Sequence, residues 1–167
     1  MRNHTAELIA AGLIQRIADL DGDGRAELLV ADSRWEVYGD LSHAAAPSAV
    51  MIYAWRNGRY VYSSRDFPAY YKSEIERLRG EVERTRAAIT EEEFSDDPYI
   101  GRAVSLTITI AQLGEVERAV TEMQSTLTSS VRSSAQRKRR AAVIEDFKSG
   151  DSAKKLREMT HGDPLPF

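Results

Sequence analysis

The chain contains no cysteine among its 167 residues. Disulfide bonds, catalytic thiolates and zinc sites built on cysteine are therefore excluded. This absence is compatible with any cellular compartment.

Long apolar runs are also missing from the chain. No run approaches the length that a bilayer-spanning helix requires. The first residues lack the basic and then apolar layout of a secretory signal peptide. We therefore expect no transmembrane segment. If the natural protein is exported, we expect that its signal peptide is absent from this sequence.

The composition has little bias in charge. Hydrophobic residues make up 42% and charged residues 29% of the chain, and the formal net charge is -3. These values are typical of a folded globular protein and not of a disordered one. The charge balance gives no reason to expect nucleic acid or an anionic membrane as a partner.

Acidic residues and glycines alternate in one short stretch, Asp19-Leu20-Asp21-Gly22-Asp23-Gly24-Arg25-Ala26-Glu27-Leu28. Carboxylates this close together repel one another, and a hard cation that prefers oxygen ligands offsets the repulsion. Glycine reaches positive φ at little steric cost, so Gly22 and Gly24 allow the chain to curl around one centre. The stretch predicts a calcium loop, because magnesium keeps more of its water and requires a stricter octahedron.

The spacing of this loop differs from that of an EF-hand. An EF-hand loop has twelve residues, ends in a bidentate glutamate and leads into a helix. Counted from Asp19, the twelfth residue is Val30, which lies in an apolar run typical of a strand. The last carboxylate comes earlier, as Glu27, directly before that run.

The loop resembles the FG-GAP or VCBS repeat, the calcium-binding blade unit of integrin-type β-propellers. The pattern of that repeat, Asp-x-Asp-Gly-Asp-Gly-x-x-(Asp/Glu)-Leu, matches residues 19–28, and the resemblance covers roughly residues 13–63, as in single-copy bacterial relatives. No second copy is present, which excludes a complete propeller. The resemblance implies one calcium ion held by Asp19, Asp21, Asp23, the backbone carbonyl of Arg25, and Glu27. The alternative is an acidic turn that holds no ion.

The first part of the chain has the signals of a small antiparallel sheet. The resemblance favours a strand before the loop, and Leu28 to Ala31 predict the next strand. Residues 32–47 predict a long loop. Asn57-Gly58 between two apolar runs predicts a hairpin with a type I′ turn. The hairpin carries an aromatic stripe, Tyr53, Trp55, Tyr60 and Tyr62. Packing is the commoner reason for such a stripe, and binding of sugar or peptide is the alternative.

The second part of the chain has helical periodicity. A short helix is also expected near the start, over residues 7–11. Helices are predicted from Pro68 to about residue 89, over residues 115–129, up to Gly150, and from Asp151 onward. Residues 104–110 alternate as a strand does, yet Asp97-Pro98 and Gly114 favour a helix that begins and ends at those residues.

Other clusters suggest weaker hypotheses. The basic run Arg137 to Arg140, with Arg132 upstream, wraps around a helix, which favours a solvated helix end over a nucleic-acid site. Glu91 to Glu93 favour surface charge over acid-base catalysis. His4, His43 and His161 share no metal-ligand spacing with one another.

The sequence as a whole predicts an α+β protein. A sheet of about four strands, pinned by one calcium loop, packs beside about four or five C-terminal helices. We expect two units, residues 1–66 and 67–167, that share one core. The favoured function is a non-enzymatic, calcium-binding scaffold or protein-interaction module, with an extracytoplasmic location. The alternatives are a hydrolase with its site on the 32–47 loop, including His43, and a helical regulator that binds nucleic acid through Arg137 to Arg140.

Overall fold

The structure is a computed structural model that describes residues 13–89, 96–129, 131 and 133–161. It is an α+β fold, as predicted, with a four-stranded antiparallel sheet and five α-helices. The strands are β1 (Ile14–Ala18), β2 (Glu27–Ala31), β3 (Val50–Arg56) and β4 (Arg59–Tyr62). The helices are α1 (Pro68–Ala88), α2 (Asp97–Ala111), α3 (Val116–Thr128), α4 (Ser134–Ser149) and α5 (Asp151–His161). The helix predicted over residues 7–11 lies outside the described residues.

The strands follow one another in the sheet in chain order, and every neighbouring pair is antiparallel. The register of β1 against β2 shifts between Ile14 and Arg16. Asn57 and Gly58 turn β3 into β4 with φ values of 50° and 87°, as the predicted type I′ turn requires. The expected sheet and hairpin are therefore confirmed.

One sheet face packs against the start of α1. Leu29, Ile52 and Ala54 form a cluster with Phe67 and Tyr71. The opposite face holds a second buried cluster, Leu28, Val30, Met51 and Tyr53, with Tyr60 and Tyr62 at its border. The aromatic stripe thus contributes to packing, with edge contacts between the Tyr53 and Tyr62 rings and between the Trp55 and Tyr60 rings.

Helix α2 is the centre of the helical array. It packs against α1, α3, α5 and the short 3-10 turn His43–Ala45, and nearly all of its side chains are buried. Its hydroxyl groups are satisfied within the helix, because Ser105, Thr107 and Thr109 each donate to the carbonyl oxygen four residues earlier, at 2.8–2.9 Å. The prediction of a helix over these residues is confirmed. Its N-cap is Asp96, one residue before the predicted Asp97.

The remaining helices also follow the prediction. Gly114, with φ of 85°, links α2 to α3, and Gly150 separates α4 from α5. On α1, Arg77 pairs with Glu81 of the same helix, and Arg79 reaches Glu122 of α3 at 2.7 Å.

The largest buried cluster joins the 32–47 loop to the helices. Trp35 stacks on Phe147 of α4 with ring centroids 5.6 Å apart, and the Tyr38 hydroxyl donates to Asp146 at 3.1 Å. Residues from both sides of the predicted boundary therefore pack in one cluster. The boundary itself, between residues 66 and 67, stays a prediction.

Candidate metal centre

The acidic loop connects β1 to β2 and is built from two tight bends. Gly22 and Gly24 have φ values of 78° and 82°, and no atom lies near the position that a Cβ would occupy. Glycine is required at both positions because the backbone has a positive φ there, and not because a larger side chain would clash. The bends fold the loop back on itself, so that its first and last carboxylates meet.

The aspartates of the loop organise its backbone. Asp19 accepts hydrogen bonds from the N–H groups of Gly22 at 2.7 Å and Gly24 at 3.0 Å. Asp21 accepts from the N–H of Asp23 at 3.0 Å, and Asp23 accepts from the N–H of Arg25 at 2.8 Å. These bonds hold the three aspartate carboxylates against the backbone of the loop.

Glu27 joins the two ends of the loop. It is the first residue of β2, and its carboxylate accepts a hydrogen bond from the N–H of Leu20 at 2.8 Å. It is only 2% exposed, whereas Asp19 and Asp21 are exposed. The loop thus presents one buried and several solvated carboxylates.

Three of the five predicted ligand residues come together. Asp19, Asp21 and Glu27 each offer a carboxylate oxygen, and these oxygens lie within 4.8 Å of one another. Asp23 is not part of this group; it is exposed. The ligand role of the Arg25 carbonyl stays a prediction.

No cationic side chain among the described residues balances the charge of this group. Within the described ranges, no lysine, arginine or histidine forms an ion pair with Asp19, Asp21 or Glu27. Water can solvate the two exposed aspartates, but a buried carboxylate requires a compensating charge. The hard oxygen donors fit a calcium ion, which takes carboxylates at this kind of loop.

The aromatic hairpin touches the loop. The Tyr60 hydroxyl donates to the carbonyl oxygen of Ala26 at 3.2 Å, and the Tyr60 ring contacts Trp55. The hairpin therefore supports the segment just before Glu27.

The 32–47 loop, the proposed place of a hydrolase site, is held by structural contacts. Asp32 accepts from the side chains of Arg34, at 2.5 Å, and Trp35, at 3.1 Å. His43 is exposed in its short turn, and no described side chain forms a hydrogen bond or ion pair with its imidazole. No observation in this loop favours catalysis, and the hydrolase alternative stays untested.

The prediction that the basic run is solvated was wrong for two of its four members, Arg139 and Arg140, while Arg137 and Lys138 are exposed. Arg140 is 2% exposed, pairs with Asp96 at 2.8 Å and lies over the Tyr99 ring. Arg139 pairs with Asp97 and with Asp40. Sequence reasoning missed these pairs because the partners are 42 to 99 residues away in the chain. The acidic pair at the start of α2 was the available signal.

Other predicted residues lie where the structure gives no side-chain description. His4, Glu91 to Glu93 and Arg132 are outside the described residues, and His161 is the last residue of α5.

Comparison with known proteins adds no relative. No family model, no curated protein and no solved structure matches this chain. The FG-GAP or VCBS resemblance therefore stays a prediction. Across the described residues, none of the helices is both long and apolar enough to cross a bilayer.

Proposed function

We propose that the chain is a non-enzymatic, calcium-binding scaffold or protein-interaction module, in which the 19–27 loop holds one structural calcium ion. The observation that carries this proposal is the Glu27 carboxylate, which is 2% exposed, has no cationic partner in the described part of the chain and converges with Asp19 and Asp21. When bound, calcium supplies the missing positive charge.

The loop residues have distinct roles in this proposal. Asp19, Asp21 and Glu27 bind the ion, and Asp23 with the Arg25 carbonyl completes the oxygen shell. Glu27 also holds Leu20, so binding at Glu27 fixes the exit of β1 relative to the start of β2. The role is structural because the carboxylates that bind the ion also fix the backbone. An extracytoplasmic, calcium-rich location suits such a site.

The interaction part of the proposal is supported by β1. This strand forms one edge of the described sheet. It carries Ile14, 37% exposed, and Ile17, 61% exposed, and it follows Leu13, which is 74% exposed. Exposed apolar groups on an edge strand with no further neighbour among the described residues favour contact with another protein.

Thermal unfolding with calcium, magnesium or chelator tests the metal site at fixed protein concentration and ionic strength. Of the two cations, we expect only calcium to raise the unfolding midpoint. At a calcium concentration one hundred times the dissociation constant, the free energy of unfolding should rise by about 2.7 kcal/mol. Equal midpoints in calcium and chelator would overturn the proposal. Asp21→Ala should abolish the calcium effect and leave the midpoint in chelator nearly unchanged.

A further inference from the structure

A cleft of about 420 Å³ opens between the end of α3 and the first half of α4. Its walls are mainly aliphatic and include Leu127, Val131, Ala141 and Ile144. Arg137 and Arg140 also line it, and with Ala141 and Ile144 they occupy one face of α4 at helical spacing. The volume is within the range of about 300–1,000 Å³ that is usual for small-molecule sites.

The two arginines of the cleft differ in their partners. Arg140 is neutralised by Asp96, and its Nη1 donates to two backbone carbonyls, at 3.1 Å to Ser129 and 3.4 Å to Leu127. Arg137 is exposed, and its guanidinium makes no hydrogen bond or ion pair with any described residue. Among the described residues that line it, the cleft therefore presents one positive charge that no partner neutralises, and this charge lies beside an apolar wall.

This combination defines a ligand chemistry. A guanidinium binds a carboxylate through two parallel hydrogen bonds, and the aliphatic wall accepts an apolar chain. Arg137 lies in the first turn of α4, where the helix dipole also favours an anion. A monoanion matches the one free charge of the described lining, whereas a dianionic phosphate would leave excess charge against an apolar wall.

We propose that the α3–α4 cleft binds a linear aliphatic monocarboxylate, with its carboxylate on Arg137 and its alkyl chain against Leu127, Val131 and Ile144. The site is separate from the 19–27 loop and does not depend on calcium.

Calorimetric titration of the full chain with decanoate, below its micelle concentration, tests the site. We expect saturable binding that is the same in calcium and in chelator. Arg137→Gln should weaken binding by about tenfold, since the amide cannot form the two charge-assisted hydrogen bonds that a guanidinium makes with a carboxylate. Lys138→Gln, at the next and equally exposed position outside the cleft, is the matched control and should change it less than twofold.

A second pair of variants tests the apolar wall. Ala141→Phe should fill the cleft and abolish binding, while Ala142→Phe, at an exposed neighbour outside the cleft, should not. Decanol should bind more weakly than decanoate to the unaltered chain. The proposal would be overturned if decanoate shows no saturable binding. It would also be overturned if neither Arg137→Gln nor Ala141→Phe changes the affinity for decanoate. Because the calcium experiment measures a different site, either proposal can fail alone.

Discussion

The carboxylate of Asp96 lies 2.8 Å from the Nε of Arg140, and the two side chains are only 3% and 2% exposed. This pair joins the start of α2 to α4, at a point where Arg140 also lies 4.6 Å from the Tyr99 ring centroid. A buried charge that loses its partner is far more costly than a solvated one.

Arg140→Ala should therefore destabilise the fold by about 3 kcal/mol, because it leaves the buried Asp96 with only the longer ion pair to Arg139, at 3.4 Å. Arg137→Ala, on the same helix but exposed and with no ion pair to a described residue, should change stability by less than about 0.5 kcal/mol. Denaturant unfolding measures both values. Combining Arg140→Ala with Asp96→Ala should cost less than the sum of the single changes, and additive effects would contradict the coupling.

Glu27→Gln tests the charge of the buried carboxylate in the loop. The amide oxygen can still accept the hydrogen bond from Leu20, so stability in chelator should stay within about 0.5 kcal/mol of the parent chain or rise. The stabilisation by calcium should be largely lost, because a neutral amide is a poorer ligand for the ion. Glu36→Gln, at an exposed position of the 32–47 loop, is the control for unfolding midpoints. A full calcium effect in Glu27→Gln would argue against the site.

Gly101 is required for the close contact between α2 and the His43–Ala45 turn. A Cβ at this position would overlap the carbonyl oxygen of Ala45, which is backbone and cannot rotate away. Gly101→Ala should therefore destabilise the fold by about 1–3 kcal/mol. Gly80→Ala, inside α1 and near only the flexible end of Arg84, should stabilise it by about 0.5–1 kcal/mol. The same sign for both changes in denaturant unfolding would contradict this reading.

Alkaline pH should destabilise the fold through Tyr38. Burial raises the pKa of its phenol above the ordinary value of 10.0, and the Asp146 carboxylate that accepts its hydroxyl raises it further. The folded chain then keeps a proton that the unfolded chain releases, so this contribution is complete below pH 10 and declines above it. The loss reaches about 1.4 kcal/mol one pH unit above the ordinary value. Urea unfolding between pH 8 and pH 11 should show a shallower decline for Tyr38→Phe, and an identical decline would refute it.

The exposed apolar side chains on β1 should contribute little to folding. Ile17→Lys should change the free energy of unfolding by less than about 0.5 kcal/mol, since its side chain is 61% exposed. It should lower the fluorescence of a dye that binds apolar surfaces, because the edge loses part of its apolar patch. Leu29→Lys, at a buried position of the neighbouring strand, should unfold the protein. An Ile17→Lys protein that is strongly destabilised would show that β1 has a structural role.

Local signals were enough to predict most elements of the fold. Asn57 and Gly58 predict the turn between β3 and β4 because both residues tolerate a positive φ. The helix boundaries at Pro68 and Gly150 follow from the preference for proline at the start of a helix and for glycine at its end. Helix α2 was ambiguous because it is buried on all sides. It has no solvated face, so the alternation of Ser105, Thr107 and Thr109 carries no information about exposure.

The candidate sites were predictable only where their residues are close in sequence. Asp19, Asp21 and Glu27 fall within one loop, and their convergence follows from the glycine bends between them. The pairing of Arg140 with Asp96 and the stacking of Trp35 on Phe147 join distant parts of the chain. Such contacts depend on how the helices pack, which no local pattern of charge or hydropathy reports.

The burial of α2 also has a consequence for aggregation. Its residues 104–110 are Val-Ser-Leu-Thr-Ile-Thr-Ile, an uncharged run in which apolar side chains alternate with side chains that carry a hydroxyl group, and most of them are β-branched. A stretch of this composition pairs readily with copies of itself as stacked strands once it is released from a helix. Packing of α1 and α3 against α2 keeps this stretch helical and covered. Partial opening of the helical array would therefore threaten the solubility of the protein before it removed the sheet or the acidic loop.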